Sequence, residues 1–330
     1  MMPATPLQSL ARVLTLCVLL SLTSAACDSG TEESEPGVET VSFTPGLAPG
    51  TTHQYAHVLS TENISTVPNA GTFAVNATVV RTFTLDVNAL NDDGSAEVTL
   101  TLDAFRLHIS QNATAIESLD SRNPPTQPRP TQQALLDLVG VSLDATLEPT
   151  GSVRSMRSIL DAFPPDVSIP SQARSFYDDA WFRSAITSAW HVESDSTSLA
   201  LGDTWTTSET NPFDGSTRIN INRTFELVDL DESEARIQGT SHAELEFTPD
   251  ETTDLSEIEI EEQAFSLSLL WNRSIGAMDL YETEQFLTLR FVRGGMTTTS
   301  KRRLNTSLRR IIPDSPTSPE QQPENSQITR

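Results

Sequence analysis

The chain of 330 residues is short of several things that common functions require. It has a single lysine, Lys301, and 21 basic residues in all against 45 acidic ones, for a net charge of −24. Such a balance argues against nucleic acid as a partner, and against anionic headgroups bound through the body of the protein. Acid excess with little lysine is also how salt-adapted proteins look, so a solubility adaptation and a cationic partner are both open readings. Only two cysteines occur, Cys17 and Cys27, which leaves no pair for metal or redox work in a processed chain. There is no Gly-x-Ser-x-Gly elbow, no His-Glu-x-x-His and no glycine-rich phosphate loop. No catalytic residue, cofactor or metal ligand is therefore assigned. Downstream of residue 26 no apolar run approaches the roughly 20 residues of a transmembrane helix.

What is present begins with a leader. Arg12 precedes the apolar run Val13-Leu14-Thr15-Leu16-Cys17-Val18-Leu19-Leu20, and Ser24-Ala25-Ala26 leads into Cys27. A basic residue, a short apolar core and small residues before the cleavage point make a secretory signal peptide over residues 1–26. Ser24 and Ala26 suit ordinary signal peptidase, while Ser24-Ala25-Ala26-Cys27 resembles a lipobox with serine in place of the usual leucine. Cys17 leaves with the leader, so Cys27 has no disulfide partner, and lipidation supplies a reason for its presence. Acyl chains contribute about 0.8 kcal/mol per buried CH₂, and several together hold a protein at a membrane. The expected location is the cell-envelope membrane, the outer one where the cell has two, although Asp28 favours inner-membrane retention in enteric bacteria. Residues 27–45, acidic and rich in Ser, Gly and Pro, read as a disordered tether. The proline-interrupted residues 313–330 read as a disordered tail.

Between them, period-two alternation dominates. Phe83, Leu85 and Val87 share one face, Asn91-Asp92-Asp93-Gly94 turns the chain, and Val98, Leu100 and Leu102 alternate back. This is a hairpin with one wet face. Similar runs are Ala243/Leu245/Phe247, Ile258/Ile260, Phe265/Leu267/Leu269/Trp271 and Leu287/Leu289/Phe291. Helical spacing is confined to the middle. Met156, Ile159, Leu160 and Phe163 fall on one helical face, and Ser175 to Ala189 forms a second helical piece. Ser121 to Pro130 reads as an extended loop.

The alternating segments repeat in order. Gly50-Thr51-Thr52-His53 is echoed by Gly202-Asp203-Thr204-Trp205. Arg81-Thr82-Phe83-Thr84-Leu85 is echoed by Arg223-Thr224-Phe225-Glu226-Leu227, and the hairpin Leu143 to Val153 by Leu267 to Met278. The predicted fold is mainly β, with two similar antiparallel units, curved sheets or half-barrels, at residues 46–153 and 199–312. A helical insert at residues 154–198 separates them. At Leu201 to Trp205, Leu147 to Val153 and Arg273 to Met278 the chain resembles an uncharacterised family of exported, duplicated, β-rich bacterial lipoproteins. That resemblance implies a fold but no reaction, cofactor or catalytic residue.

Few residues carry chemistry. His53 and His57, four apart in a strand, share a face at about 13 Å, too far for one metal ion. Glu257 to Glu262 form a row of carboxylates, read as a solvated strand face, with weak calcium binding as the alternative. Arg290, Arg293, Lys301, Arg302, Arg303, Arg309 and Arg310 concentrate basic charge, for cross-strand pairing or for an anionic ligand. Trp181, Trp190, Trp205 and Trp271 fill cores, or line an apolar cavity if the units curl beneath the helical insert. The leading reading is a lipid-anchored envelope protein with a non-enzymatic binding or structural role, its partner an envelope protein or apolar ligand. A carrier or chaperone of lipids or lipoproteins is the alternative, and an enzyme of unrecognised type comes third. A deep cavity would favour the carrier; a filled core would remove it.

Overall fold

The structure, a computed structural model, describes residues 39–312 other than 165–168, 172, 195–197, 215–216, 248–254 and 294. Cys27, the tether up to residue 38 and the tail from residue 313 lie outside the described residues. The alternating segments form long strands: β1 (Thr40–Val41), β2 (Thr52–Val67), β3 (Gly71–Leu90), β4 (Ala96–Gln111) and β5 (Thr114–Asp120). After helix α1 (Pro130–Leu136) come β6 (Ser142–Leu147), β7 (Val153–Met156), single 3₁₀ turns at Ile159–Ala162 and Arg174–Phe176, and helix α2 (Asp179–Trp190). The second series is β8 (Leu199–Ala200), β9 (Thr204–Asp214), β10 (Thr217–Leu230), β11 (Glu234–Phe247), β12 (Leu255–Asn272), β13 (Ala277–Arg293) and β14 (Met296–Arg310).

The fold is mainly β, with two β regions and short helical segments between them. The two regions meet edge to edge. One antiparallel sheet runs β7-β6-β4-β3-β2-β14-β13-β12-β11-β10-β9, with β5 on the end of β4, and β1 pairs separately with β8. The chain starts at the middle of this sheet, meanders out to β7, crosses to the far edge at β9 and meanders back. The central seam pairs β2 with β14 without a register shift, from Thr66 opposite Thr299 to Tyr55 opposite Arg310.

The predicted hairpin at Asn91–Gly94 has the register that its alternation requires, with Phe83 opposite Leu102, Leu85 opposite Leu100 and Val87 opposite Val98. Bulges then change the phase. Asp103 is an extra residue in β4, so the buried set moves from Val98, Leu100 and Leu102 to Phe105, Leu107 and Ile109. Glu261 does the same in β12, between Ile258 and Leu267. One inserted residue turns every later side chain to the other face, so these bulges keep both ends of a long strand facing inward.

The same hydrogen bonds recur in the two halves. Gly50 (φ +83) donates to Val87 O, and Val87 N–H to Thr51 O; Gly202 (φ +87) donates to Leu227 O, and Leu227 N–H to Asp203 O. Each pairing is followed by a bulge, at Asn88 and at Val228. Both turns beyond are pinned by an aspartate accepting from a serine, Asp93 from Ser95 and Asp231 from Ser233. This register sets Val87 against Leu227, so the Arg-Thr-Phe echo lies two residues out of it.

The helical reading of Ser155 to Phe163 is replaced by a strand and one turn. Val153 to Met156 pairs with β6, and Ser158 caps a turn that ends before Pro164. Pro130, read as loop, instead starts α1, where its missing N–H costs nothing. The Ser175 to Ala189 piece contains α2, capped by the Asp178 side chain at 2.9 Å from Ala180 N. Helices α1 and α2 and the 3₁₀ turns cover the inner face of the first half, burying Phe83, Phe105, Leu107 and Leu119. A second cluster gathers Leu227, Ile237, Leu269 and Trp271 under Phe43. Among the described residues no helix is long and apolar enough to cross a membrane.

Two glycines separate backbone strain from crowding. Gly50 needs a positive φ but has open space around it, whereas a Cβ on Gly151 (φ +86) would lie 2.3 Å from Trp190 O. Left-handed backbone costs an L-residue about 1–2 kcal/mol, so Gly50→Ala is expected to lose that much in urea unfolding. Gly151→Ala should lose clearly more, because it also pushes out the end of α2. Equal losses would mean that α2 is not held against the 148–152 turn.

Candidate functional site

Register carries one line of side chains across the inner face. Leu269 on β12 stands opposite Tyr281, Tyr281 opposite Leu308, Leu308 opposite His57, and His57 opposite Arg81 on β3. Next to it runs Phe225, Gly239, Leu267, Thr283, Thr306 and Leu59. In the first half the continuation of this second line is Val79, Leu107 and Leu119, all buried under helices. In the second half Phe225 and Leu267 close over Gly239, but beside Thr283 and Thr306 the core is not filled. A cavity of about 140 Å³ lies between β10, β12, β13, β14 and β2 on one side and α2 with the following segment to Glu193 on the other.

The cavity also shows that the sheet curls. β9 and β2 are six strand spacings apart, about 29 Å along a flat sheet, yet Trp205 of β9 and His57 of β2 line the same void. Its apolar lining includes Leu59, Phe265, Leu267, Leu269, Leu304 and Leu308.

One end is polar and paired. Arg223 lies 2.8 Å from Glu209 and 3.7 Å from Glu193, and it and Glu209 are almost entirely buried. Burial pulls the Arg223 guanidinium down, but the Glu193 and Glu209 carboxylates outweigh it and hold it above its ordinary value. Burial, then the Glu193 carboxylate, push the Tyr281 phenol up to about 12. Trp205 stacks on Phe225 (ring centroids 5.3 Å apart, 19° between planes) and donates its indole N–H to Glu193 O.

The other end is polar and unpaired. Trp181 and Trp190 belong to the first and last turns of α2, nine residues or about 13.5 Å apart along the axis. His53 and His57 are four residues or about 13 Å apart along β2. The lengths match, and each indole meets one imidazole: Trp181 with His57 (5.8 Å) and Trp190 with His53 (5.6 Å). Arg81, 3% exposed, lies over the Trp181 ring at 4.1 Å, with Phe105 and Phe176 at 5.8 and 5.9 Å. No carboxylate among the described residues pairs with it. Arg81 Nη1, His57 Nδ1 and Trp181 Nε1 are buried without a hydrogen-bond partner, as are His53 Nε2, Tyr55 Oη and Trp190 Nε1. Burial lowers Arg81 to about 9, which leaves it charged at neutral pH, and burial followed by the Arg81 charge lowers His57 to about 3. Burial, then the Arg310 charge, lowers His53 as well.

The structure thus brings Trp181 and Trp205 together at the cavity. It places Trp190 in the first-half core and Trp271 in the second-half core, edge-on to Phe43 at 5.8 Å. The carboxylate row spends itself on Arg290, which reaches Glu257 (2.5 Å), Glu259 (2.7 Å) and Glu261 (3.7 Å). Arg303, Arg309 and Arg310 pair across strands with Glu284, Glu282 and Asp279. Among the described residues no three His, Cys, Asp or Glu are grouped to hold a metal ion. Arg81 and Arg223 were missed from sequence. Their signal was available: both occupy the inward phase of an apolar run, between Val79 and Phe83 and between Ile221 and Phe225.

No family model matches the chain, and no curated protein matches it. Among solved structures, one described as lipid–protein interactions in lipovitellin is 11% identical, with a TM-score of 0.44 over 82% of this chain and 26% of that one. DynF from the dynemicin biosynthesis pathway of Micromonospora chersina is 9% identical, with a TM-score of 0.20 over 86% and 92%. An outer membrane channel from Pseudomonas putida F1 is 10% identical, with a TM-score of 0.21 over 84% and 100%. Likeness at these scores says nothing of function.

His57 is held neutral in the folded chain and protonates near 6.5 when it unfolds, and His53 is shifted in the same direction by burial. The unfolded state then binds more protons, so stability is full above about pH 6.5 and falls as pH drops from there toward 3. Urea unfolding at stepped pH should show this loss, and His57→Gln should flatten it. A His57→Gln protein with the wild-type slope would mean that His57 is not buried as a neutral ring.

Proposed function

We propose that the chain is a lipid-anchored envelope protein that carries an apolar chain in the cavity between α2 and the second half of the sheet. The observation that supports this reading is the asymmetry of the inner face. Where the first half places Val79 and Leu107 next to Leu59, the second places Thr306 and Thr283 beside an apolar-lined void. In this reading residues 1–26 are a signal peptide, Cys27 bears the lipid, and the tether is residues 27–38, shorter than the 27–45 read from composition, because β1 and Phe43 pack onto the second half. Residues 46–153 and 199–312 are duplicated units around an insert at 154–198, with a tail from 313. The recurrent hydrogen bonds at Gly50 and Gly202 support duplication, and the lone Cys27 supports anchoring. Membership of the lipoprotein family it resembles belongs to the same proposal.

Size sets how the carrier works. A void of about 140 Å³ is close to the ~150 Å³ engineered cavity that admits benzene, and below the ~300–1,000 Å³ of drug-sized sites. A long acyl chain therefore enters only as α2 moves outward. The α2–β2 interface suits such movement, because each of its unpartnered buried groups costs about 1–3 kcal/mol in the closed state. A purely structural role would have no use for an unfilled core of this kind.

Native mass spectrometry of protein extracted from envelopes is expected to show a co-purifying lipid-sized adduct. Thr283→Leu with Thr306→Leu, which fills the void, should lose that adduct while keeping or raising stability. A wild type without adduct, and unable to take up a chain from lipid vesicles, would overturn the carrier. Separately, Cys27→Ser should move the protein from the membrane pellet to the soluble fraction; retention in the pellet would end the anchoring part of the proposal.

A further inference from the structure

We infer that the carried molecule bears an anionic head, received at the corner of the cavity formed by His57, Arg81 and Trp181; this deepens the carrier reading and rests on it. Indole and guanidinium N–H groups can only donate. Trp181 Nε1 and Arg81 Nη1 are donors buried without an acceptor, next to the partnerless Nδ1 of His57, and His57 and Trp181 are walls of the cavity. The three nitrogens are covered in the closed state, so the head reaches them as α2 moves outward. Arg81 stands directly behind them, opposite His57 in the β2–β3 register and 4.1 Å from the Trp181 ring. A group that satisfies such a corner must accept hydrogen bonds, and one carrying negative charge also neutralises the buried guanidinium.

The molecule contains its own comparison. Arg223 also faces inward from an apolar strand run, and the chain supplies Glu209 and Glu193 to it. At Arg81 the chain supplies aromatic rings instead. A buried charge without an opposite charge is costly to fold, and the rings offset only part of that cost, since a ring face attracts a cation through its quadrupole and carries no net charge. The opposite charge at Arg81 is left to the ligand, while the paired Arg223 end is not available for one. The ligand then lies with its head at His57 and Trp181 and its chain toward Leu59, Leu267 and Leu304.

Fatty carboxylates and lipid phosphates share this chemistry, and three probes of equal chain length separate them: dodecanoate, dodecyl phosphate and dodecanol, titrated against the full chain at pH 8 by calorimetry. At least one of the two anions should bind about tenfold tighter than the alcohol, the equivalent of 1.4 kcal/mol, and whichever does identifies the head. Arg81→Met should bring the anions down to the level of the alcohol. Trp181→Phe keeps the ring and removes one donor, and should cost the anions about threefold or more. It stands in if Arg81→Met does not fold. Equal binding of all three probes to the wild type, or an anion preference untouched by the variants, overturns the inference and leaves the carrier standing. Binding of none of the three overturns both.

Discussion

The uninterrupted pairing of β2 with β14 is the constraint on which the rest depends. These strands come from opposite ends of the described chain, and their register fixes which residues of the two halves share a line. Because Leu308 faces His57 and Thr306 faces Leu59, the filled inner face of one half continues into the incompletely filled face of the other. A slip of one residue here would turn His53, Tyr55, His57 and Leu59 outward together. The seam also explains the path of the chain. Since the meander ends at one edge, β7, and must resume at the other, β9, the connection crosses the inner face, and α2 is that crossing.

Crossing makes α2 a cover, but a poorly matched one. Its apolar contacts are extensive, with Phe182, Ala185, Ile186 and Ala189 all buried. Its polar contacts to β2 are not satisfied, since the rings of Trp181 and Trp190 meet His53 and His57 edge-on without a hydrogen bond. A cover selected for stability alone would carry phenylalanine at these positions, losing little area and no hydrogen-bonding group. At Trp181, a buried donor kept beside a void with no acceptor from the chain is better explained by something that comes and goes.

Much of the architecture was legible in the residues, for reasons that also mark where legibility stops. Alternation with an Asp-Gly turn determined the register at Phe83–Leu102, because period and turn act locally. The hairpin Leu267 to Met278, with its turn at Gly276, and the echo of Gly50 in Gly202 were visible because only glycine adopts those angles cheaply. The bulges at Asp103 and Glu261 were not visible, as any residue can be the extra one. The β2–β14 pairing leaves no local trace at all, and α1 is too short for a periodic signal. At the site, the tryptophans were singled out for their size, and two of the four reach the cavity. Arg81 lies outside the apolar alternation that marks a strand, and its signal is the charge that interrupts the run.

An anionic ligand for a protein of net charge −24 looks self-defeating, but the two kinds of charge sit in different media. Exposed carboxylates lie in salt water, whose ions damp their field over about 8 Å at physiological ionic strength. A buried guanidinium acts strongly on a group already inside, because water does not intervene. Repulsion would oppose capture from bulk water, through the approach rather than the bound state. With the proposed tether at Cys27 the approach is different: the cavity is held near a membrane, and a chain can pass from bilayer to cavity without free diffusion. The acidic surface then favours this route over the aqueous one, which lets one protein be strongly acidic outside and cationic at a single point within.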